Sequence, residues 1–132
     1  MDERERYQQG MSVRRAVLGD AHVDRALKNA NGLNEEFQEL ITRYAWGEIW
    51  SRPGLPQKTR SLITVAMIVA LNRPDELRLH LRGAIHNGAT REEIKEVLLQ
   101  TAIYCGVPAA NSAFHLAGEM FAEMNADRET KR

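Results

Sequence analysis

The stretch Leu62-Ile63-Thr64-Val65-Ala66-Met67-Ile68-Val69-Ala70-Leu71 holds no charge and only one hydroxyl among its apolar side chains. It is about half the ~20 residues that a membrane-spanning helix needs. A short helix that is apolar on nearly every side belongs in the middle of a bundle or between subunits. In a chain of 132 residues with 43% apolar content, enough for one core and one domain, both roles together are expected.

Proline and glycine cut the rest into short helical pieces, and no segment shows the alternation of a strand. A first helix is expected from about Asp2 to Leu18, ending at Gly19. A second runs from about Ala21 to Asn31, with Val23, Ala26, Leu27 and Ala30 at helical spacing before Gly32. Asn34 is the expected N-cap of a third, which starts at Glu35-Glu36 and fades near Trp50. Arg52-Pro53-Gly54-Leu55-Pro56 must be a loop, after which the apolar helix starts near Lys58. Pro74 opens the next helix, which ends at Asn87-Gly88. Thr90-Arg91-Glu92-Glu93 is a capping box for a helix with Ile94, Val97, Leu98, Thr101 and Ala102 on one face, stopped by Gly106-Val107-Pro108. A last helix, about Ala109 to Asn125, places Phe114, Ala117, Gly118, Phe121 and Ala122 together. The expectation is thus an all-α, single-domain helical bundle over residues 1–132, with a core at about 8–125 and a charged, frayed tail at 126–132.

Lys and Arg number 18, as do Asp and Glu, so no global field draws the chain to nucleic acid or to an anionic membrane. The charged start Met1-Asp2-Glu3-Arg4-Glu5 is unlike a signal peptide, which leads us to expect a cytoplasmic protein. A single cysteine, Cys105, excludes an internal disulfide, a CxxC pair and a cysteine-built zinc site. At its helix end it reads as a small buried residue rather than a nucleophile. His22, His86 and His115 have no acidic partner at ligand spacing, so no metal is expected. Elbow, phosphate-loop, dinucleotide and HExxH motifs are all missing, and no cofactor is expected.

Chemistry concentrates in two places. In Asp75-Glu76-Leu77-Arg78-Leu79-His80-Leu81-Arg82-Gly83-Ala84, helical spacing puts Leu77, His80, Leu81 and Ala84 on one stripe. Glu76, four residues before His80, can reach one ring nitrogen, fix the tautomer and raise the basicity of the other. A core histidine satisfied by Glu76 or by backbone is the plainer alternative, and Glu76 protonated or paired to Arg73 is another. Arg78 and Arg82 turn away from the stripe and should repel unless solvent or an anion stands between them. In Trp46-Gly47-Glu48-Ile49-Trp50-Ser51-Arg52-Pro53-Gly54-Leu55, two indoles, a carboxylate and a guanidinium crowd a turn, which suits either the wall of a pocket for a planar acid or a plug closing the bundle.

These two segments, with Lys58-Thr59-Arg60-Ser61-Leu62 and Gly88-Ala89-Thr90-Arg91-Glu92-Glu93-Ile94-Lys95-Glu96-Val97, resemble the carboxymuconolactone decarboxylase family, related in fold to alkyl hydroperoxidase D. The resemblance implies a helical bundle assembled into a ring-shaped homo-oligomer, commonly a hexamer. It also implies cofactor-independent decarboxylation of 4-carboxymuconolactone to 3-oxoadipate enol-lactone in aromatic-acid breakdown. Where the peroxidase branch carries its CxxC motif, this chain has Arg73 and Glu76, which speaks against thiol redox catalysis.

The implied substrate carries its own electron sink, because electrons left behind by CO2 flow through a ring double bond into the lactone carbonyl. The protein need only position, desolvate and protonate. His80 is expected to supply the proton and Glu76 to orient it. Arg73 is ranked first for holding substrate carboxylates, with Arg52 and Arg60 next; Glu48, Trp46 and Trp50 complete the expected pocket wall. Rival expectations are action on a different carboxylated lactone and a helical oligomer that binds an acid without turnover.

Overall fold

A computed structural model describes residues 1–130; Lys131 and Arg132 of the expected tail lie outside the described residues. Among these residues there are seven α-helices, one π-helical segment and no strand: α1 (Glu3–Leu18), α2 (Asp20–Lys28), α3 (Glu35–Ile41), the π segment (Thr42–Trp50), α4 (Gln57–Leu71), α5 (Pro74–His86), α6 (Arg91–Tyr104) and α7 (Val107–Thr130). Their contacts group into two compact units, Met1–Arg60 and a second beginning at Ser61, so α4 starts in one and continues in the other.

In the first unit, α1 begins with a complete capping box. Asp2 accepts from the Glu5 N–H at 2.8 Å, and Glu5 accepts from the Asp2 N–H at 3.3 Å. Gly19, at φ +90°, ends it in a conformation that a side chain would resist. The second helix is shorter than its apolar spacing suggests and stops at Lys28. The asparagines explain this: Asn31 accepts from the N–H groups of Leu33 and Asn34, and Asn34 accepts from the N–H of Asn31. Local side-chain bonds of this kind compete with helix. They also correct the expected cap, since Asn34 precedes α3 but makes no capping bond to it.

Helical structure does reach Trp50, but in π form from Thr42 onward. The buried stripe of α1 is Gly10, Arg14 and Val17, and Gly10 is where the π segment comes closest. A Cβ at Gly10 would lie 1.8 Å from the carbonyl oxygen of Thr42, and one at Gly47 would lie 2.5 Å from that of Arg6. Two backbones touch here, and only glycine permits it at both positions.

The core of the second unit joins Val65, Ile68 and Val69 of α4, Leu77, Leu81 and Ala84 of α5, Ala89, Ile94 and Leu98 of the α6 region, and Ala113, Ala117 and Met120 of α7. Each fully buried Leu, Ile, Val or Met contributes about 1.5–3 kcal/mol relative to exposure. The apolar helix α4 therefore buries one side, while Ile63, Met67 and Leu71 stay exposed on another. The start of α5 is as expected, with Pro74 in the first turn where no N–H is missed. The Thr90–Glu93 capping box also forms as expected, both of its bonds measuring 3.0 Å.

Two expectations for α7 are corrected. Pro108 lies inside its first turn rather than ending the previous helix, because a helix tolerates proline there, and Gly106 at φ +103° makes the break alone. The helix also runs on to Thr130, past the expected end at Asn125. Its buried face is Ala113, Ala117 and Met120, whereas Phe114, Gly118 and Ala122 edge an open groove of about 520 Å³. Small alanines let α7 approach the core, and the larger Phe114 is left at the rim.

Candidate functional site

The proposed acid–base helix is α5. Leu77, Leu81 and Ala84 are buried along it, His80 on the same stripe is half-buried, and Glu76 one turn earlier is exposed. An imidazole so placed has an apolar footing and a face open to exchange a proton, the combination a general acid needs. Arg73, also exposed, is the N-cap residue of α5 with an extended backbone, φ −117° and ψ 86°. It lines a crevice of about 20 Å³ with Ile68, Val69, Asn72, Ser112 and Leu116, room for one water rather than a lactone. A neighbouring cleft of about 360 Å³ shares Val69, Asn72 and Ser112 and is bordered by Cys105, which is half-buried rather than buried as expected.

Arg78 and Arg82 do leave the stripe, and what stands between them is protein. Arg78 bonds Glu119 at 2.8 Å and Glu123 at 3.4 Å, and Arg82 bonds Glu123 as well. The carboxylates of α7 thus supply the anion, and the Glu119 bond holds the Arg78 pKa above its ordinary value.

The aromatic segment belongs to the first unit. Trp46 is buried and Trp50 half-buried, their rings stacked with centroids 4.8 Å apart and planes at 28°. The guanidinium beside Glu48 is that of Arg6 on α1, at 3.8 Å, and not that of Arg52. Arg60 donates to the carbonyl of Arg52 at 3.2 Å, and Gln57 donates to that of Trp50, so the start of α4 ties down the proline loop. The structure therefore brings together Trp46 with Trp50 and Arg52 with Arg60 in the first unit, and carries Arg73, Glu76 and His80 on α5 in the second.

One residue escaped the sequence reading. Arg14 is buried, donating through Nη1 to the Thr42 hydroxyl at 3.3 Å and through Nη2 to the Gln38 side-chain carbonyl at 2.9 Å. Its pKa is lowered, chiefly by burial. The signal was present: Gly10, Arg14 and Val17 follow one another at helical spacing, so the stripe that buries Gly10 and Val17 also buries the arginine. Ser61 is a second such residue, a buried hydroxyl on α4 that accepts from the Asn87 side chain at 3.1 Å. Among the described residues no group of three or more His, Cys, Asp and Glu is placed to hold a metal ion.

Comparison with known proteins places this arrangement. A 4-carboxymuconolactone decarboxylase from Acinetobacter baylyi is 52% identical over 124 residues, covering 94% of this chain and 92% of that one. A nitrosuccinic acid decarboxylase from Metarhizium robertsii is 44% identical over 126 residues, covering 96% and 88%. A 48-residue 4-carboxymuconolactone decarboxylase sequence from Pseudomonas putida is 67% identical over its whole length, 36% of this chain. The model of the carboxymuconolactone decarboxylase family matches residues 35–119, a span holding the stacked tryptophans, the apolar α4 and the His80 helix. On this evidence the chain belongs to the carboxymuconolactone decarboxylase family.

Proposed function

We propose that this protein is a carboxy-lyase that removes CO2 from 4-carboxymuconolactone without a cofactor, giving 3-oxoadipate enol-lactone, and that it works in the cytoplasm as a ring-shaped homo-oligomer, a hexamer by preference. The observation that carries the reaction is the 52% identity to a decarboxylase of that name across nearly the whole of both chains. Support for self-association comes from the apolar side chains left on the surface of the second unit: Met67 is 59% exposed, Leu71 68%, and Ile103 and Tyr104 80% each. No described helix is long and apolar enough to cross a membrane.

In this reading His80 protonates the dienolate left by CO2 departure, and Glu76 sets the ring's tautomer. Arginines hold the substrate carboxylates, Arg73 first, then Arg52 and Arg60. Trp46 and Trp50 offer the planar ring an aromatic wall, with Glu48 at its edge. The half-buried position of His80 supports its role, because partial desolvation brings an imidazole close to the substrate while leaving it a path for protons.

The relative from Metarhizium robertsii gives a second reading. Its named substrate, nitrosuccinic acid, also carries an electron sink, since a nitro group can accept the electron pair that CO2 leaves. The family scaffold would then serve acids that stabilise their own carbanion, and the pocket would choose the sink.

Both readings are tested by ultraviolet and NMR time courses of metal-free protein with freshly generated 4-carboxymuconolactone and, separately, with nitrosuccinate. Enol-lactone and CO2 from the first, with slower turnover of the second, supports the lactone reading. The reverse order transfers the assignment to nitro acids, and no turnover of either removes both.

A further inference from the structure

The arginines of the first unit that contact α1 or lie on it are mostly matched by carboxylates. Arg6 lies beside Glu3 and Glu48, Arg15 beside Asp20 and Asp24, and Arg43 beside Glu3 and Glu39. Those arginines are partly exposed, where an ion pair costs little to forgo. Arg14 is the opposite case. It is 4% exposed, and among the described residues no carboxylate pairs with it.

Burying a charge without a counter-ion is expensive, and arginine cannot escape the cost by losing its proton. The two neutral acceptors, Thr42 and Gln38, orient the guanidinium without neutralising it. Thr42 is itself fixed, its hydroxyl donating to the Gln38 backbone carbonyl at 2.7 Å. The Nε–H is buried and meets no acceptor. One edge of a rigidly held, desolvated fork is therefore open, and a carboxylate matches that edge with two parallel bonds. The surroundings add no competing negative charge: His22 is close enough for the arginine's charge to disfavour its protonation, after burial itself.

We infer that Arg14 is a binding residue for the carboxylate of a small organic acid, the anion that completes the charge pair the fold leaves open. The choice of ligand class rests on the acid-decarboxylase reading, whereas the site rests on the burial and bonding of Arg14. Since the guanidinium is nearly enclosed, the acid enters by a local opening of the first unit, a motion of the low-cost kind that ligand sites commonly use.

The test is binding rather than turnover. The full chain and its Arg14→Met and Arg14→Lys variants are titrated with succinate and with cis,cis-muconate by calorimetry and by thermal shift, with dimethyl succinate as the uncharged control. The expected result is a saturable response of the parent to the two acids and none to the diester. Arg14→Lys, keeping charge but not the fork, should bind at least 10-fold more weakly, and folded Arg14→Met should not respond. Should Arg14→Met fail to fold, the lysine variant decides alone. A parent that ignores both acids, or a folded variant that binds them as the parent does, makes Arg14 a structural strut and overturns the inference. Acid binding without decarboxylation in the separate time course would remove the proposed reaction and leave this site standing.

Discussion

Gly10 of α1 and Thr42 of the π segment meet backbone to backbone, leaving no room for a single carbon between them. The neighbouring contacts reinforce that junction: Gln9 donates to the Gly47 carbonyl at 3.2 Å, and Arg14 reaches the Thr42 hydroxyl. Replacing Gly10 by alanine must push α1 off the π segment, a shape clash rather than a propensity effect. We expect a loss of roughly 2–4 kcal/mol in urea unfolding, at the upper end for overpacking. A loss below about 0.5 kcal/mol would mean that the junction is loose in solution.

Gly118 is the control. It too lies inside a helix, but a Cβ there meets nothing within 4 Å. Gly118→Ala should therefore gain about 0.5–1 kcal/mol by the same unfolding measurement, since alanine loses less backbone freedom on folding. Opposite signs at two helical glycines would show that contact, not residue type, decides.

The imidazole of His80 can be tested without disturbing the core stripe. His80→Gln keeps bulk and polarity, and if His80 is the general acid, decarboxylation should slow by at least ~100-fold, roughly 3 kcal/mol of transition-state stabilisation. Circular dichroism must show the variant folded. Equal turnover would make His80 a structural residue.

The bridges between α5 and α7 are exposed, so Arg78→Ala should cost no more than about 1 kcal/mol, and raising the salt to 1 M should shrink the difference. A salt-independent loss of several kcal/mol would show instead that the arginine stem packs against α7.

Burial first, and then the charges of Arg14 and Arg25, lower the pKa of His22 below its ordinary 6.5. The unfolded chain then binds the proton more readily than the folded one. Stability is accordingly fullest above pH ~6.5 and falls as the pH drops below that value toward the lowered pKa of the folded state. Denaturant midpoints measured from pH 7.5 to 5 should decline, and His22→Gln should flatten part of that slope. An unchanged slope would place His22 in a solvent-like setting.

Much of this architecture was legible because punctuation in the sequence has local causes. Asp2, Pro74 and the Thr90–Glu93 box start helices through contacts within a few residues, and Gly19, Gly88 and Gly106 stop them by adopting positive φ. Spacing likewise put Leu77, Leu81 and Ala84 on the buried side of α5. What stayed hidden depends on long-range partners. Glu48 could not announce that its guanidinium is Arg6, nor Arg78 and Arg82 that Glu119 and Glu123 stand between them. The burial of Arg14 was visible as a stripe but contradicted by residue type, and the residue type was given more weight than the spacing deserved. The π form was illegible for another reason: its hydrogen bonds shift by one residue, while the apolar spacing of Phe37, Leu40, Ile41 and Tyr44 suits an ordinary helix as well.

A π segment accommodates one more residue per loop of backbone than an α-helix does, and so it behaves as a stored insertion. Removing a single residue between Thr42 and Gly47 would let the chain relax to α form with its topology intact. Everything C-terminal would then swing by about 100° around the helix axis, the angular step of one α-helical residue. Trp50 and the proline loop would face elsewhere although not one of their own atoms had been altered. In this protein the number of residues between two tryptophan-bearing turns is as much a determinant of the aromatic wall as the tryptophans themselves, and length variation there would reshape substrate choice where point substitutions leave it unmoved.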